Sequence, residues 1–266
     1  MPEGDTIYRA ARTLHATLAG RRVTRFETVL PQLARVDDES PIAGRTIERV
    51  TSSGKNLVID FSGDLFLRTH MRMHGSWHIY KPGERWKMPK DAMRIVIETD
   101  AWVAVAFNVP VAELHDSGSL ERQDDLRLIG PDFLGETFDE DEALRRMRER
   151  SEEAIADVLL NQRVASGVGN EYKSEVLFLA RVSPFASVRA LDDETLRRIL
   201  RIARKLMLAN VARTGGGRVT TFSLDPRQSK YVYGRAGKAC RKCGTAIEMT
   251  RQGRDARVTF WCPKCQ

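Results

Sequence analysis

Cys240-Arg241-Lys242-Cys243 and Cys262-Pro263-Lys264-Cys265 hold all four cysteines of the chain, in two Cys-x2-Cys pairs with eighteen residues between them. Each x2 spacing lets two thiolates from one tight turn face a single tetrahedral ion, and the intervening segment is long enough for a β-hairpin. Lys242 and Lys264 favour the ionised thiols beside them. Two disulfides would satisfy the same count, but the first residues do not read as a signal-peptide core, an intracellular chain is expected and no cysteine is spare, which favours metal. The expected occupant is one structural Zn2+ on Cys240, Cys243, Cys262 and Cys265. Four thiolates close the coordination sphere, so the ion stabilises the fold and offers no open position for chemistry. Between the pairs stand Arg251, Arg254 and Arg257, side chains suited to phosphate.

That hairpin ends a basic tail. From Arg213 to Gln266 twelve Lys and Arg stand against three acids, a local charge of +9, whereas the rest of the 266-residue chain carries −2. Charge concentrated in this way marks a surface for a polyanion more than general solubility. A hydrophobic content of 42% suffices for two packed domains. No apolar run approaches the ~20 residues of a membrane span. The expectation is an intracellular, cytoplasmic chain with no membrane partner.

Upstream of the tail the apolar period is helical over residues 140–149, 152–160, 170–180 and 193–211. The last segment carries Leu196, Ile199, Leu200, Ala203, Leu206 and Met207 on one stripe. Gly215-Gly216-Gly217 breaks it. Gly167-Val168-Gly169-Asn170 lies between two of these helices, with Asn170 placed to cap the second. A helix–Gly turn–helix unit can dock on DNA, with free N–H groups at the helix start on phosphate. An ordinary helical hairpin with an Asn cap fits the same residues.

Before about residue 108 the period is two. Residues 22–30, 56–61, 65–70, 93–99 and 102–107 are rich in β-branched and aromatic side chains, with Ser53-Gly54, Ser62-Gly63-Asp64 and Lys81-Pro82-Gly83 between them. Many short strands with little helix predict a β-sandwich or barrel. The pattern lapses over residues 116–131. The organisation expected is therefore 1–118 as a β-sandwich domain, 119–131 as linker, 132–215 as a helical domain and 216–266 as the basic segment with its zinc hairpin, an α+β fold. Lys55 in Ser53-Gly54-Lys55-Asn56 reads by itself as a solvated turn residue. Arg72-Met73-His74-Gly75 follows a strand, and a methionine flanked by Arg72 and His74 can wedge into a base stack or pack beneath its own loop. His70 and His74 suggest a metal pair only by their spacing.

At the start, Asp5 can cap a helix bearing Ile7, Ala10, Ala11, Leu14 and Leu18, with Gly20 ending it. Removal of Met1 gives Pro2 a free secondary amine with a pKa near ~8, against ~10.4 for lysine. Such an amine attacks an aldehyde-like carbon to give an iminium ion, and Glu3 beside it can hand over a proton.

Taken together, these residues resemble the family of formamidopyrimidine-DNA glycosylase and endonuclease VIII. The resemblance spans nearly the whole chain through Pro2-Glu3-Gly4-Asp5-Thr6, Gly54-Lys55-Asn56, Arg72-Met73-His74-Gly75, Gly130-Pro131-Asp132, Gly167-Val168-Gly169-Asn170 and the cysteine hairpin. It implies a helix–two-turn–helix domain and a bifunctional DNA glycosylase and AP lyase of base excision repair. The implied partner is double-stranded DNA carrying oxidised bases or abasic sites, met by a monomer with no organic cofactor. It further implies Pro2 as the nucleophile at C1′, Glu3 as the acid opening the sugar, and Lys55 and Arg257 on phosphates. Asn170 would lie on the DNA backbone, and Arg72, Met73 and His74 would enter the gap left by the flipped base. Gly4-Asp5-Thr6 is similar to the endonuclease VIII branch and favours oxidised pyrimidines, whereas Met73 is the residue type of the purine-directed branch. An 8-oxoguanine-directed enzyme of the same family, or a non-catalytic binder of damaged DNA, are the alternatives.

Overall fold

Glu3 turns the chain into its first helix. Its extended backbone (φ −124°, ψ −177°) lets its carbonyl accept from the Thr6 and Ile7 N–H groups, at 2.9 and 3.1 Å. Glu3 is therefore the N-cap of α1 (Gly4–Leu18), and Asp5, expected as the cap, lies in the first turn with its side chain buried. Gly4 is already helical, which moves the cap two residues toward the chain start. Ile7, Ala11, Leu14 and Leu18 form the buried stripe, and Gly20, at φ +78°, takes the left-handed conformation that follows a helix end.

The computed structural model describes residues 2–213, 217–223 and 225–266, so Met1 and the Gly215-Gly216 part of the expected glycine break lie outside the described residues. The chain divides into two compact units, Met1–Leu128 and Ile129–Gln266. After α1 the first unit runs through β1 (Val23–Thr28), α2 (Pro31–Glu39), β2 (Ile47–Ser53), β3 (Asn56–Phe61), β4 (Leu65–His70), β5 (Ser76–Tyr80), β6 (Met93–Thr99), β7 (Val103–Phe107) and β8 (Val111–His115). Two short helices, α3 (Ser117–Glu121) and α4 (Asp124–Arg127), fall largely within the segment read as a linker.

Antiparallel pairing builds two four-stranded sheets, ordered β1-β6-β7-β5 and β2-β3-β4-β8. Leu57, Ile59 and Leu67 from one sheet meet Ile95, Ile97, Ala104 and Ala106 from the other in a single core, joined by Ile7, Leu14 and Leu18 of α1. This is the expected sandwich with its flanking helix. Each fully buried Leu or Ile contributes about 1.5–3 kcal/mol. Trp86 and Met88 cover a second cluster of Tyr80, Val96, Val105 and Phe107 on the other face of β5–β7. Every residue of β7 is consequently buried, without the alternation of a half-solvated strand. Three strands escaped the period-two reading, β2, β5 and β8, and all three are sheet edges. Their mixed polar sequences suit edges, which proteins keep unattractive to further strands.

The second unit contains α5 (Glu140–Arg148), α6 (Ile155–Leu160), α7 (Asn170–Ala180), α8 (Asp193–Ala212) and the hairpin of β9 (Glu248–Gln252) and β10 (Arg257–Trp261). Asp139 and Asp192 cap α5 and α8 by accepting from Glu142 N and Thr195 N, at 2.9 and 2.8 Å. The helix expected from residue 152 begins only at Ile155, because Ala154 is held extended in a bridge to Ser187. Among the described residues no helix is long and apolar enough to cross a membrane.

Candidate functional site

In the first unit, Pro2 is half-buried and Glu3 wholly buried, at 0% exposure. A carboxyl group thus sits under cover at the start of α1, adjacent in the chain to a reachable Pro2. Lys55 lies in the two-residue turn of the β2–β3 hairpin, closed by the Ser53–Asn56 pair. Gly54 takes the left-handed φ of +57° that the first position of such a tight turn requires. The turn is anchored from below. Arg68, 3% exposed, donates from Nε to Asn56 Oδ1 at 3.1 Å and from Nη1 to Glu113 Oε2 at 2.7 Å. Burial works against the Glu113 carboxylate, but hydrogen bonds from Arg68 and His115 hold it below the ordinary carboxylate range.

Asn56 faces His70 across β3 and β4, so the Lys55 turn and the β4–β5 loop leave the same end of one sheet. His70 Nδ1 accepts from Arg72 N at 3.1 Å, and Arg72 stands at φ +48°. A non-glycine residue in that region costs about 1 kcal/mol or more. Met71 is buried at 2%, whereas Met73 is 59% exposed and Arg72 and His74 are exposed beside it. The methionine packed beneath the loop is Met71, and Met73 is presented outward on a tightly knit turn. Gly75 permits this turn, since a Cβ there would lie 2.5 Å from the Met71 carbonyl oxygen. Of the His70–His74 pair suggested by spacing, His70 Nδ1 is taken up by the Arg72 N–H, and neither histidine joins a group of three or more potential ligands among the described residues. Among the described residues the four cysteines alone group in threes or more as potential ligands.

In the second unit, Gln162 pins the glycine turn: its amide donates to the Val168 carbonyl at 3.0 Å and accepts from Gly167 N at 2.9 Å. The cap of α7 is Gly169, with extended dihedrals, and Asn170, expected as cap, is the first helical residue. The reason is visible in its side chain, whose Nδ2 donates to the Val258 carbonyl of β10 at 2.6 Å and is not free to fold back. Its Oδ1 is buried without a hydrogen-bond partner among the described residues. Lys173, 0% exposed, donates to the same carbonyl at 3.1 Å and to Thr259 Oγ1 at 2.7 Å. Two side chains of α7 therefore grip β10 immediately after Arg257, which begins that strand with its own side chain 48% exposed. Glu175 holds the approach to the hairpin by accepting from the Tyr231, Val232 and Tyr233 N–H groups, each at 2.8 Å, and from the Thr220 hydroxyl.

Lys173, Glu175 and Arg68 were not singled out from the sequence. For Lys173 and Glu175 the readable signal was α7 itself, whose charged residues interrupt a helix buried on all sides and so demand internal partners. Replacing Glu175 by alanine leaves three backbone donors without an acceptor. The expected loss is about 3–5 kcal/mol, read as a fall in the melting transition of residues 129–266. An unchanged transition would refute this anchoring role.

The four Sγ atoms lie within 4.8 Å of one another, with Cys240 to Cys265 at 3.9 Å and Cys243 to Cys262 at 3.4 Å. A tetrahedron built on ~2.3 Å Zn–S bonds has edges of ~3.8 Å, which these separations approach. Hydrogen bonds from Thr245 draw the Cys243 thiol down to about 6, whereas burial raises Cys262 and pushes Cys265 up to about 12. Only a cation among the thiols lets all four ionise together, and the cluster fits a structural zinc ion.

Residues 1–110 match the family described as Formamidopyrimidine-DNA glycosylase N-terminal domain, residues 129–223 the Formamidopyrimidine-DNA glycosylase H2TH domain, and residues 237–266 the Zinc finger found in FPG and IleRS. Over its whole length the chain is 39% identical to probable endonuclease 8 2 of Streptomyces coelicolor, covering 94% of that protein. It is likewise 36% identical to DNA-(apurinic or apyrimidinic site) lyase Nei2 of Mycolicibacterium smegmatis, covering 99% of it. A crystal structure of Lactococcus lactis formamidopyrimidine-DNA glycosylase bound to DNA with an AP site shares the fold, with a TM-score of 0.84 at 22% identity and coverage of 100% and 99% of the two chains.

Proposed function

Since the chain belongs to the family of formamidopyrimidine-DNA glycosylase and endonuclease VIII, we propose that it removes oxidised bases, pyrimidines foremost, from double-stranded DNA through a Pro2 Schiff base. It is a DNA glycosylase with AP-site lyase activity. The observation that carries the mechanistic reading is the fully buried Glu3 carboxyl at the start of α1, one residue from Pro2.

Once Met1 is removed, the Pro2 nitrogen has a lone pair to attack C1′ of the extruded nucleotide while Glu3 gives a proton to the opening sugar. The base leaves and an iminium ion links the protein to the sugar. The iminium acidifies the C2′ protons, so one elimination breaks the bond to the 3′ phosphate and a second releases the 5′ side. Lys55 in its hairpin turn and Arg257 at the start of β10 stabilise the departing phosphates. Water then frees Pro2, leaving a one-nucleotide gap with phosphate at both ends. Asn170 lies along the DNA backbone, while Arg72, Met73 and His74 fill the space vacated by the base, offsetting part of the few kcal/mol that extrusion costs. One zinc ion holds the hairpin, no organic cofactor takes part, and the enzyme works as a monomer inside the cell.

Support for pyrimidines comes from Gly4-Asp5-Thr6 and from relatives that carry the endonuclease 8 name. The exposed Met73, a residue type of the purine-directed branch, favours the alternative of 8-oxoguanine. Cleavage of duplexes with thymine glycol or 8-oxoguanine separates the two. Thymine glycol is expected to be excised at least about tenfold faster by kcat/KM. Strong 8-oxoguanine excision with inert thymine glycol would overturn the pyrimidine assignment.

A further inference from the structure

Phe138, Glu140, Arg201, Arg204, Lys205 and Leu208 line an open groove of about 430 Å³ between the start of α5 and the outer face of α8. None of these residues belongs to the chemistry described above. Its apolar walls are Phe138, stacked on Phe133 with ring centroids 4.7 Å apart, and Leu208, which is 43% exposed. Its single acid, Glu140, is already held by Arg197 at 3.2 Å and Arg201 at 2.9 Å, so it adds little free negative charge. Arg204 lies 5.6 Å over the Phe138 ring and, among the described residues, otherwise reaches the Gly135 and Glu136 carbonyls, at 3.4 and 3.5 Å. Neither Arg204 nor Lys205 has a carboxylate partner among the described residues.

Two uncompensated cations beside two apolar walls define the complementary ligand. We propose that this groove docks an acidic peptide segment of a partner protein, with one bulky apolar side chain set between Phe138 and Leu208 and flanking carboxylates on Arg204 and Lys205. A nucleic-acid backbone is the poorer fit, because it offers nothing to the apolar walls, whereas an aromatic anchor ringed by charge uses both halves of the lining.

The probe is a fluorescein-labelled nonapeptide with four aspartates on each side of one phenylalanine, titrated with the full-length zinc-loaded protein and read by fluorescence anisotropy. Saturable binding is expected, weakened at least about tenfold by Leu208→Asp and by Lys205→Glu. AP-lyase activity and melting temperature should stay unchanged in both variants, since both positions are exposed. A control peptide with serine in place of the phenylalanine should bind several-fold more weakly. Absence of saturable binding, equal binding by the variants, or equal binding of the serine peptide would each overturn the proposal. So would displacement of the peptide by undamaged duplex DNA whose own affinity falls in the same two variants, which would make the groove a nucleic-acid surface.

Discussion

Extending the chain ahead of Pro2 is expected to abolish borohydride-trappable cross-linking to an abasic-site duplex while leaving the affinity for that duplex intact. The physical reason lies in one nitrogen. An added residue converts the Pro2 amine into a tertiary amide, whose lone pair is delocalised into the carbonyl and cannot attack carbon. The expected fall in adduct formation and strand cleavage is at least ~10³-fold, the scale of losing a covalent nucleophile. Pro2→Ala with Met1 removed should behave differently. It leaves a primary amine in nearly the same place, able to form an imine but not the permanently charged iminium of a secondary amine. An intermediate, slower adduct is therefore expected. Binding should persist in both variants, because the residues assigned to the DNA backbone, Asn170 and Arg257, lie in the other unit with its own core. N-terminal mass must be measured on each preparation, since retained Met1 mimics the extension. An undiminished adduct from a verified extended chain would remove Pro2 from the mechanism.

The sequence was most legible where one local pattern determines one local structure. Residues 56–61, 65–70, 93–99 and 170–180 have the bounds expected of them, because burial there follows a simple period or is complete. The cysteine spacing led to a cluster that places four sulfurs around one point. What escaped was set by partners distant in sequence. Asn170 looks like a cap because Asn often is one; only the Val258 carbonyl, 88 residues on, shows why its amide is engaged elsewhere. No period speaks to the burial of Glu3, which is complete at the start of a helix packed on β2 and β3. Lys173 and Glu175 are invisible to any period, since a buried charge is tolerated only by its hydrogen-bond partners. Arg72 escaped for a different reason, a local one. No sequence rule places an arginine at φ +48°, and the His70 ring that accepts its N–H is two residues away on a neighbouring strand end.

Cys262→Ser is expected to cost the protein its metal, its hairpin and most of its DNA affinity in one step, with the sandwich of residues 1–128 still folded. Cys262 is 0% exposed and packs with Cys240, Phe178, Val232 and Ile247, a cluster too small to hold two short strands unaided. The ion supplies what the cluster lacks, on the order of 10 kcal/mol for a structural zinc site. A serine hydroxyl occupies similar volume but is a poor zinc ligand, and the remaining three thiols, which ionise together only around a cation, revert to their protonated form. Loss of the hairpin then propagates along defined contacts. Without β10 the Asn170 amide and the buried Lys173 ammonium lose the Val258 carbonyl and the Thr259 hydroxyl. Arg257 loses the strand that aims it. DNA affinity should fall by roughly 10²-fold or more at physiological salt, because the phosphate contacts proposed for Asn170 and Arg257 would vanish together. Zinc content by atomic emission and duplex binding by anisotropy follow the two losses, and a chelator applied to the wild-type protein should reproduce both. Thermal melting of the N-terminal unit serves as the control, since its core contains neither the cysteines nor any residue of β9 or β10. Full DNA affinity in a metal-free Cys262→Ser protein would show that the hairpin holds its shape without the ion and would end the structural assignment of the zinc.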